Sequence, residues 1–513
     1  MKNGQNNHCM QRMDSRKKIL VIAAMILIQS TAVAQTYSAV KRHNFWNDGF
    51  GVTGIRQDTV SIAVAEAYGN YVSGGLRASS EASSLWRAGA YTSAIRHLKN
   101  FSMTGSFSFD QMWGEGMCGS MFVRPGFYPV DVYEFTPGSK SRQTYEVCGG
   151  ISVDVSPLWR LGGEVDFTSA NYAKRKDLRH TTYMLDFSVK PGVQYHNGDL
   201  ALALNYIFSK NSETVKAEQV GTSVASYDAF FDKGLYYGVK NIWTGSGVHL
   251  NEPGIDGLPV SETINGLSLQ FSYGGLYAGV QGRLRNGQVG EKLKVWYRFS
   301  GYDVSAHLGY RFESTGGTHY FRGSFEYLDQ SNDEYALESK TEGGVTNTYT
   351  IGSNRLFSRG ISVAGLGYEF SGSGWNIMAD ASLTAKNGLL TIIYPCRAEQ
   401  KLIMPSIDLS AKKAAGPFDI RLAAGWSNGS LAESNSILDE SSGLVSSPER
   451  LESYFLKYSE HMTHNKIVLS PSLRFNFAKG LYVEGAFWWN HGFGMQYLGA
   501  DRFSTTLRFG YNF

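Results

Sequence analysis

The chain alternates. At its end the odd positions from Phe503 are Phe503, Thr505, Leu507, Phe509, Tyr511 and Phe513, while the even positions from Arg502 are Arg502, Ser504, Thr506, Arg508, Gly510 and Asn512. Successive side chains of a strand point to opposite faces, so this stretch has one apolar, aromatic face and one polar face. The period returns upstream. Leu481, Val483, Phe487 and Trp489 oppose Tyr482, Glu484 and Asn490; Ile467, Leu469, Leu473, Phe475 and Phe477 oppose Ser470, Ser472, Arg474 and Asn476. Phe418, Ile420, Leu422, Ala424 and Trp426 oppose Asp419, Arg421 and Ser427, and Val304–Phe312, Leu200–Phe208 and Phe101–Phe109 repeat the pattern. A single such segment also fits a soluble sandwich. About a dozen of them, with large aromatics kept on the apolar face, predict an all-β transmembrane barrel with a lipid-facing outside and a polar lumen.

Connections set the direction of the strands. Ala478-Lys479-Gly480, Ala414-Ala415-Gly416, Gly372-Ser373-Gly374, Thr315-Gly316-Gly317 and Asn197-Gly198 are short turns. Between them lie long segments, near 113–141, 212–262, 329–354 and 428–464, rich in Ser, Glu, Asn and Gly. Outer-membrane barrels have short periplasmic turns and long extracellular loops, so the last strand runs inward. Counting back gives an antiparallel up-and-down barrel of about 18 strands, with 16 as the alternative. The count turns on residues 276–313, which fit either a membrane pair or a hairpin at a loop tip.

The first 34 residues have the order of a secretory signal peptide: Arg16, Lys17 and Lys18, then the apolar stretch Ile19 to Ile28, then Ala32-Val33-Ala34 before Gln35. The apolar stretch is too short to cross a bilayer as a helix. Residues 35–58 lack a clean period and fit either a periplasmic tail or a short plug. Residues 59–513 are expected to form the barrel in a bacterial outer membrane.

Composition narrows the class. Aromatic residues make up 13% of the chain and charged residues 18%, the latter below the usual quarter. Only 12 prolines occur, as a chain of paired strands requires. Beyond residue 34 no apolar run is long enough for a membrane helix, and without helices only a closed barrel satisfies the backbone in lipid. The net charge of +3 comes with no long basic stripe, which argues against a nucleic-acid partner. Cys118, Cys148 and Cys396 are too few for a disulfide framework; spacing leaves a Cys118–Cys148 bridge open.

Candidate chemistry sits on the polar face. Arg160, Glu164, Asp166, Arg311, Arg322, Glu326, Arg474, Glu484, Arg502 and Arg508 are expected to face the lumen, with Asp186, Lys190, Asp408, Lys412, Asp419 and Arg421. They fit either a path for a polar solute or cross-strand ion pairs that satisfy one another. The mixture of signs speaks against selection of one ion charge. His461 and His464 stand three apart, but no carboxylate or cysteine completes a metal site at ligand spacing. No G-x-S-x-G elbow or H-E-x-x-H occurs, so no enzyme, cofactor or metal is expected, with a rim hydrolase kept as a minor reading. Gly149-Gly150 and Gly162-Gly163 predict strand bulges or bends. The segment Arg124–Pro129 predicts either a constriction folded inward or a compact outer loop. Phe509, Tyr511 and Phe513 form the expected assembly signal for the barrel assembly machinery, and outer-membrane lipids are the expected surroundings.

Three stretches carry a resemblance: Arg124-Pro-Gly-Phe-Tyr-Pro-Val-Asp-Val-Tyr-Glu-Phe-Thr-Pro-Gly138, Ser169-Ala-Asn-Tyr-Ala-Lys-Arg-Lys-Asp-Leu-Arg-His180, and Tyr195-His-Asn-Gly-Asp199 running into Tyr206–Thr214. They resemble an uncharacterised family of outer-membrane β-barrel proteins of Bacteroidota. The resemblance implies a barrel without known activity, encoded near TonB-dependent uptake components. The expected function is thus a passive channel or an accessory of nutrient or iron uptake. The alternative is a structural barrel whose outer loops hold a TonB-dependent receptor or a surface lipoprotein.

Overall fold

The computed structural model describes residues 37–57, 60–176, 178–218, 227–243, 257–291, 294–392, 397–436, 449–477 and 480–513. The signal segment, Cys396 and the turn residues Ala478 and Lys479 lie outside these. A short helix, α1 (Tyr37–His43), precedes the strands β1 (Ile62–Gly74), β2 (Ser84–His97), β3 (Phe101–Ser120), β4 (Asp131–Asp154), β5 (Trp159–Lys174), β6 (Arg179–Asn197) and β7 (Leu200–Glu218). A hairpin follows, β8 (Tyr227–Gly234) and β9 (Tyr237–Trp243). Then come β10 (Leu258–Tyr273), β11 (Leu276–Glu291), β12 (Lys294–Ser314), β13 (Gly317–Glu342), β14 (Val345–Gly372), β15 (Trp375–Thr391) and β16 (Arg397–Ala415). The chain ends with β17 (Phe418–Ser427), β18 (Ser430–Asn435), β19 (Glu449–Arg450), α2 (Glu452–Thr463), β20 (Lys466–Asn476), β21 (Leu481–Gly492) and β22 (Asp501–Asn512).

The wall is one closed antiparallel sheet of 18 strands. It closes where β22 pairs with β1, Ala65 opposite Tyr511 and Tyr71 opposite Thr505, and the Phe513 N–H reaches Ala63 O at 2.8 Å. Both β11 and β12 are full wall strands, which decides for 18 over 16. The rim where β22 ends is called the inner rim; the other is the outer rim.

Alternation made this wall. Leu202, Leu204 and Tyr206 are exposed on the outside of β7, while Ala201, Ala203, Asn205 and Ile207, alternating with them, are buried inside. Leu507 and Phe509 are likewise exposed on β22. On β17 the outward Phe418 and Trp426 are eight residues apart, about 26 Å along the strand and about 20 Å along the barrel axis at the usual tilt, so they fall towards the two edges of a lipid-facing band.

Long-loop boundaries move. Strands β3 and β4 run to Ser120 and from Asp131, leaving residues 121–130 as their tip. Residues 329–354 are no loop: β13 and β14 pair out to Glu342 opposite Val345, with Gly343 and Gly344 at positive φ in the turn. The 212–262 region shrinks to 219–257 and contains the β8–β9 hairpin; 428–464 contains β18, β19 and α2. The physical reason is shared. Where a strand leaves the lipid its outward side chains meet water, so the two faces no longer differ in polarity although pairing continues.

Two further expectations change. The β4–β5 register runs unbroken through Gly150 opposite Glu164 and Ser152 opposite Gly162, so the glycines mark no bulge. They make space: a Cβ at Gly150 would lie 2.8 Å from Val52, and one at Gly162 2.8 Å from Thr53. Cys118 and Cys148 are free thiols. Cys148 is level with Ser106 on β3, twelve residues or about 40 Å from Cys118, far beyond disulfide reach.

Candidate functional site

Among the described residues, segments from both rims enter the lumen. The first is residues 37–57. Val40, Trp46, Phe50, Val52 and Ile55 are buried, each worth about 1.5–3 kcal/mol for a side chain of this kind. Phe50 stacks on His307 at 4.7 Å and His43 on Tyr320 at 4.2 Å. The wall answers with polar anchors. Lys190 donates to Gly49 O at 3.1 Å, Ser268 to Phe50 O at 2.8 Å and Ser152 to Thr53 O at 3.0 Å. Asp48 accepts from Gln270 at 3.0 Å and from Tyr277; burial pushes its carboxyl up to about 6, against the hydrogen bonds that lower it. Inward glycines admit the segment: a Cβ at Gly309 would lie 2.7 Å from Phe45 and one at Gly279 2.8 Å from Asp48. These contacts run from β4 round to β13, and Val40, Val52 and Ile55 also share an apolar core with Ile62 and Val64 on β1 and Ile95 on β2.

The loop 121–130 and the β8–β9 hairpin enter from the outer rim. Met121, Phe122, Tyr128, Val130, Phe231 and Tyr237 share one apolar core with wall residues that include Val260, Phe299, Leu356 and Leu390. Arg124 pairs with Asp186 at 3.0 Å, and Tyr128 Oη donates to Asn211 at 3.2 Å. Across the lumen, Arg359 on β14 donates to Gly126 O at 2.8 Å and to Phe127 O. The segment Arg124–Pro129 therefore folds inward. The hairpin pairs with the start of β4, Asp131 opposite Asp232, and Lys233 bridges to Glu334 at 2.6 Å.

Most charges assigned to the lumen from sequence meet a partner there. Arg160 donates to Asp154 and Gln194, both at 2.7 Å. Lys190 holds Glu164 at 2.8 Å and Asp166 at 3.1 Å. Arg322 meets Glu369 at 3.1 Å, and Glu484 receives Arg474 at 2.6 Å and Arg508 at 2.7 Å. Arg311 meets Glu313 at the exposed inner rim, 2.7 Å away, and Glu326 stands opposite Ser305. Cys148, Glu164 and Asp166 bring possible ligand atoms within 4.8 Å of one another, but the Lys190 ammonium already occupies those carboxylates. His464 lies 4.0 Å from Glu460, and His461 sits in the last turn of α2. At the outer rim His491 meets Asp501 at 2.8 Å, with Trp489 donating to the same carboxylate.

Beside the infolded loop and hairpin, a cavity of about 710 Å³ remains in the outer half. One wall is a row in register across β2 to β5: Arg87, Met112, Arg142 and Tyr172. Facing it are Ile361, Lys386, Leu402 and Leu431, in register across β14, β15, β16 and β18. Arg359, Arg502, Tyr128, Tyr236 and Tyr458 also line it. Arg502 was expected in the lumen; Arg87, Arg142, Arg359 and Lys386 were not singled out. Their inward parity was readable, but their convergence joins strands more than two hundred residues apart. A second space of about 400 Å³ lies nearer the inner rim, between α1 and the wall, lined by Lys41, Glu66, Tyr91, Arg474, Tyr482 and Asn512 among others.

Residues 52–513 match the family of unknown function DUF6850, and the chain belongs to that family. No curated protein matches it. Among solved structures it is similar to the outer membrane transporter YddB from Escherichia coli, with 8% identity, TM-score 0.41, and 88% of this chain and 80% of that one covered. It is also similar to the FrpB iron transporter from Neisseria meningitidis, with 10% identity, TM-score 0.40 and coverage of 89% and 82%. The ferric preacinetobactin receptor BauA from Acinetobacter baumannii is similar at 8% identity and TM-score 0.38, with 88% and 80% covered. Likeness of this degree says nothing about cargo.

Proposed function

We propose that this member of the DUF6850 family is an outer-membrane uptake barrel whose lumen is occupied rather than open, and which receives a polar solute in its outer cavity. The observation that carries the reading is the alignment of the two spaces along the same staves. Strands β2 and β22 contribute Arg87 and Arg502 to the outer cavity, and Tyr91 and Asn512 to the inner one. Segment 37–57 is anchored to β4, β6 and β10 to β14 and also packs against β1 and β2 through Val40, Val52 and Ile55, and the inner space is what it leaves open on the β20–β2 side. Ion pairs such as Arg474–Glu484–Arg508 line that side and keep it polar without one dominant sign.

Conductance in planar bilayers tests this. The full barrel should pass ions weakly, and a chain lacking residues 37–57 should conduct several-fold more. A wide, steady conductance of the intact barrel, or no gain on deletion, overturns the reading.

A second reading has its own observation. Past Glu334 on β13 and before Phe357 on β14 the two strands pair only with each other among the described residues. An isolated two-stranded ribbon is marginal in water, and its free edges invite pairing. This favours a barrel that holds a surface lipoprotein or a TonB-dependent receptor against the ribbon. Loss of partner co-purification on shortening residues 335–354 supports it; unchanged co-purification removes it.

A further inference from the structure

We propose that the outer cavity is a binding site for a small polyanion, a solute carrying two or more carboxylate or phosphate groups; this rests on the uptake reading and names the solute class. Among the described residues five cationic side chains line the cavity: Arg87, Arg142, Arg359, Lys386 and Arg502. Only Arg87 has a close carboxylate, Asp110 at 2.9 Å. Arg359 is satisfied by neutral oxygens, those of Gly126, Phe127 and Gln330. Arg502 reaches Ala82 O at 3.3 Å and Glu81 no closer than 3.8 Å. Among the described residues Lys386 and Arg142 have no ion-pair partner, and the buried Nε of Arg142 has no hydrogen-bond partner at all.

The carboxylates that line the same cavity accept from other donors, although Oδ2 of Asp131 has no hydrogen-bond partner among the described residues. Asp131 accepts from Ser120 Oγ and the Val132 N–H, both at 2.7 Å. Asp232 accepts from the Gly234 N–H at 2.8 Å. Glu81 accepts from the Ala78 N–H at 2.9 Å and is half exposed. Elsewhere in the lumen most charges are matched across strands, as in Lys190–Glu164 and Arg474–Glu484. Cations held in a partly buried space without anions are costly, and an anion that enters supplies charge-assisted hydrogen bonds in place of lost water.

Placement argues for more than one anionic group. Arg87 and Arg142 stand on β2 and β4, while Arg359 and Lys386 stand on β14 and β15, on the facing wall. A volume of about 710 Å³ lies within the range of small-molecule sites and holds a solute long enough to reach both. Because Arg359 also holds the carbonyls of Gly126 and Phe127, a bound anion would share the side chain that pins the infolded loop.

Isothermal titration of the full barrel in detergent micelles tests the assignment, with citrate as the carboxylate probe, inorganic pyrophosphate as the phosphate probe and maltose as the uncharged one. Saturable binding of citrate or pyrophosphate that weakens with salt is expected, and the stronger of the two identifies the anionic group. Arg142→Gln and Lys386→Gln should each weaken it about tenfold, the effect of one charge-assisted hydrogen bond. Arg311→Gln, in the Glu313 pair at the inner rim, should leave it unchanged; folded migration in unheated gels confirms that each variant is a barrel. Maltose binding without either anion overturns the polyanion assignment and leaves the uptake reading standing. Anion binding indifferent to both substitutions overturns the assignment to this cavity. Binding of no probe, together with a conductance that deletion of 37–57 does not change, overturns both.

Discussion

Arg42 and Glu369 form a two-pronged ion pair, with Nε and Nη2 each 2.9 Å from a carboxylate oxygen. Glu369 also receives His43 at 2.8 Å, Arg322 at 3.1 Å and Asn376 at 2.6 Å. This buried carboxylate ties α1 to β13, β14 and β15. Glu369→Gln keeps the volume and removes the charge. The loss is expected to be about 2–3 kcal/mol of docking free energy, below the 3–5 kcal/mol of a fully buried pair, because the Arg42 side chain is 37% exposed. A cysteine placed at Asn47 should then react with maleimide several-fold faster, while the barrel stays folded.

Gly150 and Gly149 give a matched pair. A side chain at Gly150 would enter the space of Val52, whereas one at Gly149 meets nothing within 4 Å. Gly150→Leu should release residues 37–57 from the wall and raise conductance. Gly149→Leu, on the outward face, should do neither. Equal effects of the two on conductance would show that the segment does not depend on this contact.

How much of this was legible follows from what each position faces. On β7 and β22 the outside meets lipid and the lumen side is walled, so period two could be read directly, while the choice between 18 and 16 strands needed β11 and β12 as full wall strands. On β13 and β14 the same period fades past residue 334, because water lies on both sides, and a paired ribbon looked like a loop. Lumen-facing Arg322 and Arg474 were readable as inward charges. Their partners Glu369 and Glu484 were not assignable as pairs, since register depends on turn lengths. The cavity was the least legible feature: Arg142 and Lys386 are ordinary inward positions on strands that meet only through closure of the barrel.

The lipid face can be tested at two adjacent residues. Leu507 is exposed on the outside of β22, while Thr506 on the lumen side accepts from Asn70 at 2.8 Å. Leu507→Arg should cost about 2–4 kcal/mol near the midplane, and Thr506→Arg much less. Denaturant unfolding in lipid vesicles measures both; equal costs would contradict the assignment of faces.

The end of β22 closes the barrel. The Phe513 N–H bonds to Ala63 O at 2.8 Å, and its ring packs edge-on against Tyr511 at 4.3 Å. We expect Phe513, with Phe509 and Tyr511, to act as the assembly signal. Deleting Phe513 should lower the folded fraction in outer membranes, read from gel migration before and after heating. Normal yield of the truncated barrel would remove the signal from these residues.

The β8–β9 hairpin should loosen as pH rises. Burial pushes the Asp232 carboxyl up to about 8, with Asp131 opposite it adding to the shift and the Gly234 and Tyr236 N–H groups opposing it. In an unfolded chain an aspartate titrates near 4. The docked hairpin therefore holds the proton more tightly than the free one. Its contribution is fully present below about pH 4, falls as pH rises, and is gone above about pH 8. Hydrogen exchange in residues 227–243, corrected for the intrinsic pH dependence, should be slower at pH 5 than at pH 9. Asp232→Asn cannot ionise and should reduce that difference, the remainder coming from Asp131 opposite it, which burial also pushes up to about 7. An unchanged pH dependence in the variant would place the titrating group elsewhere.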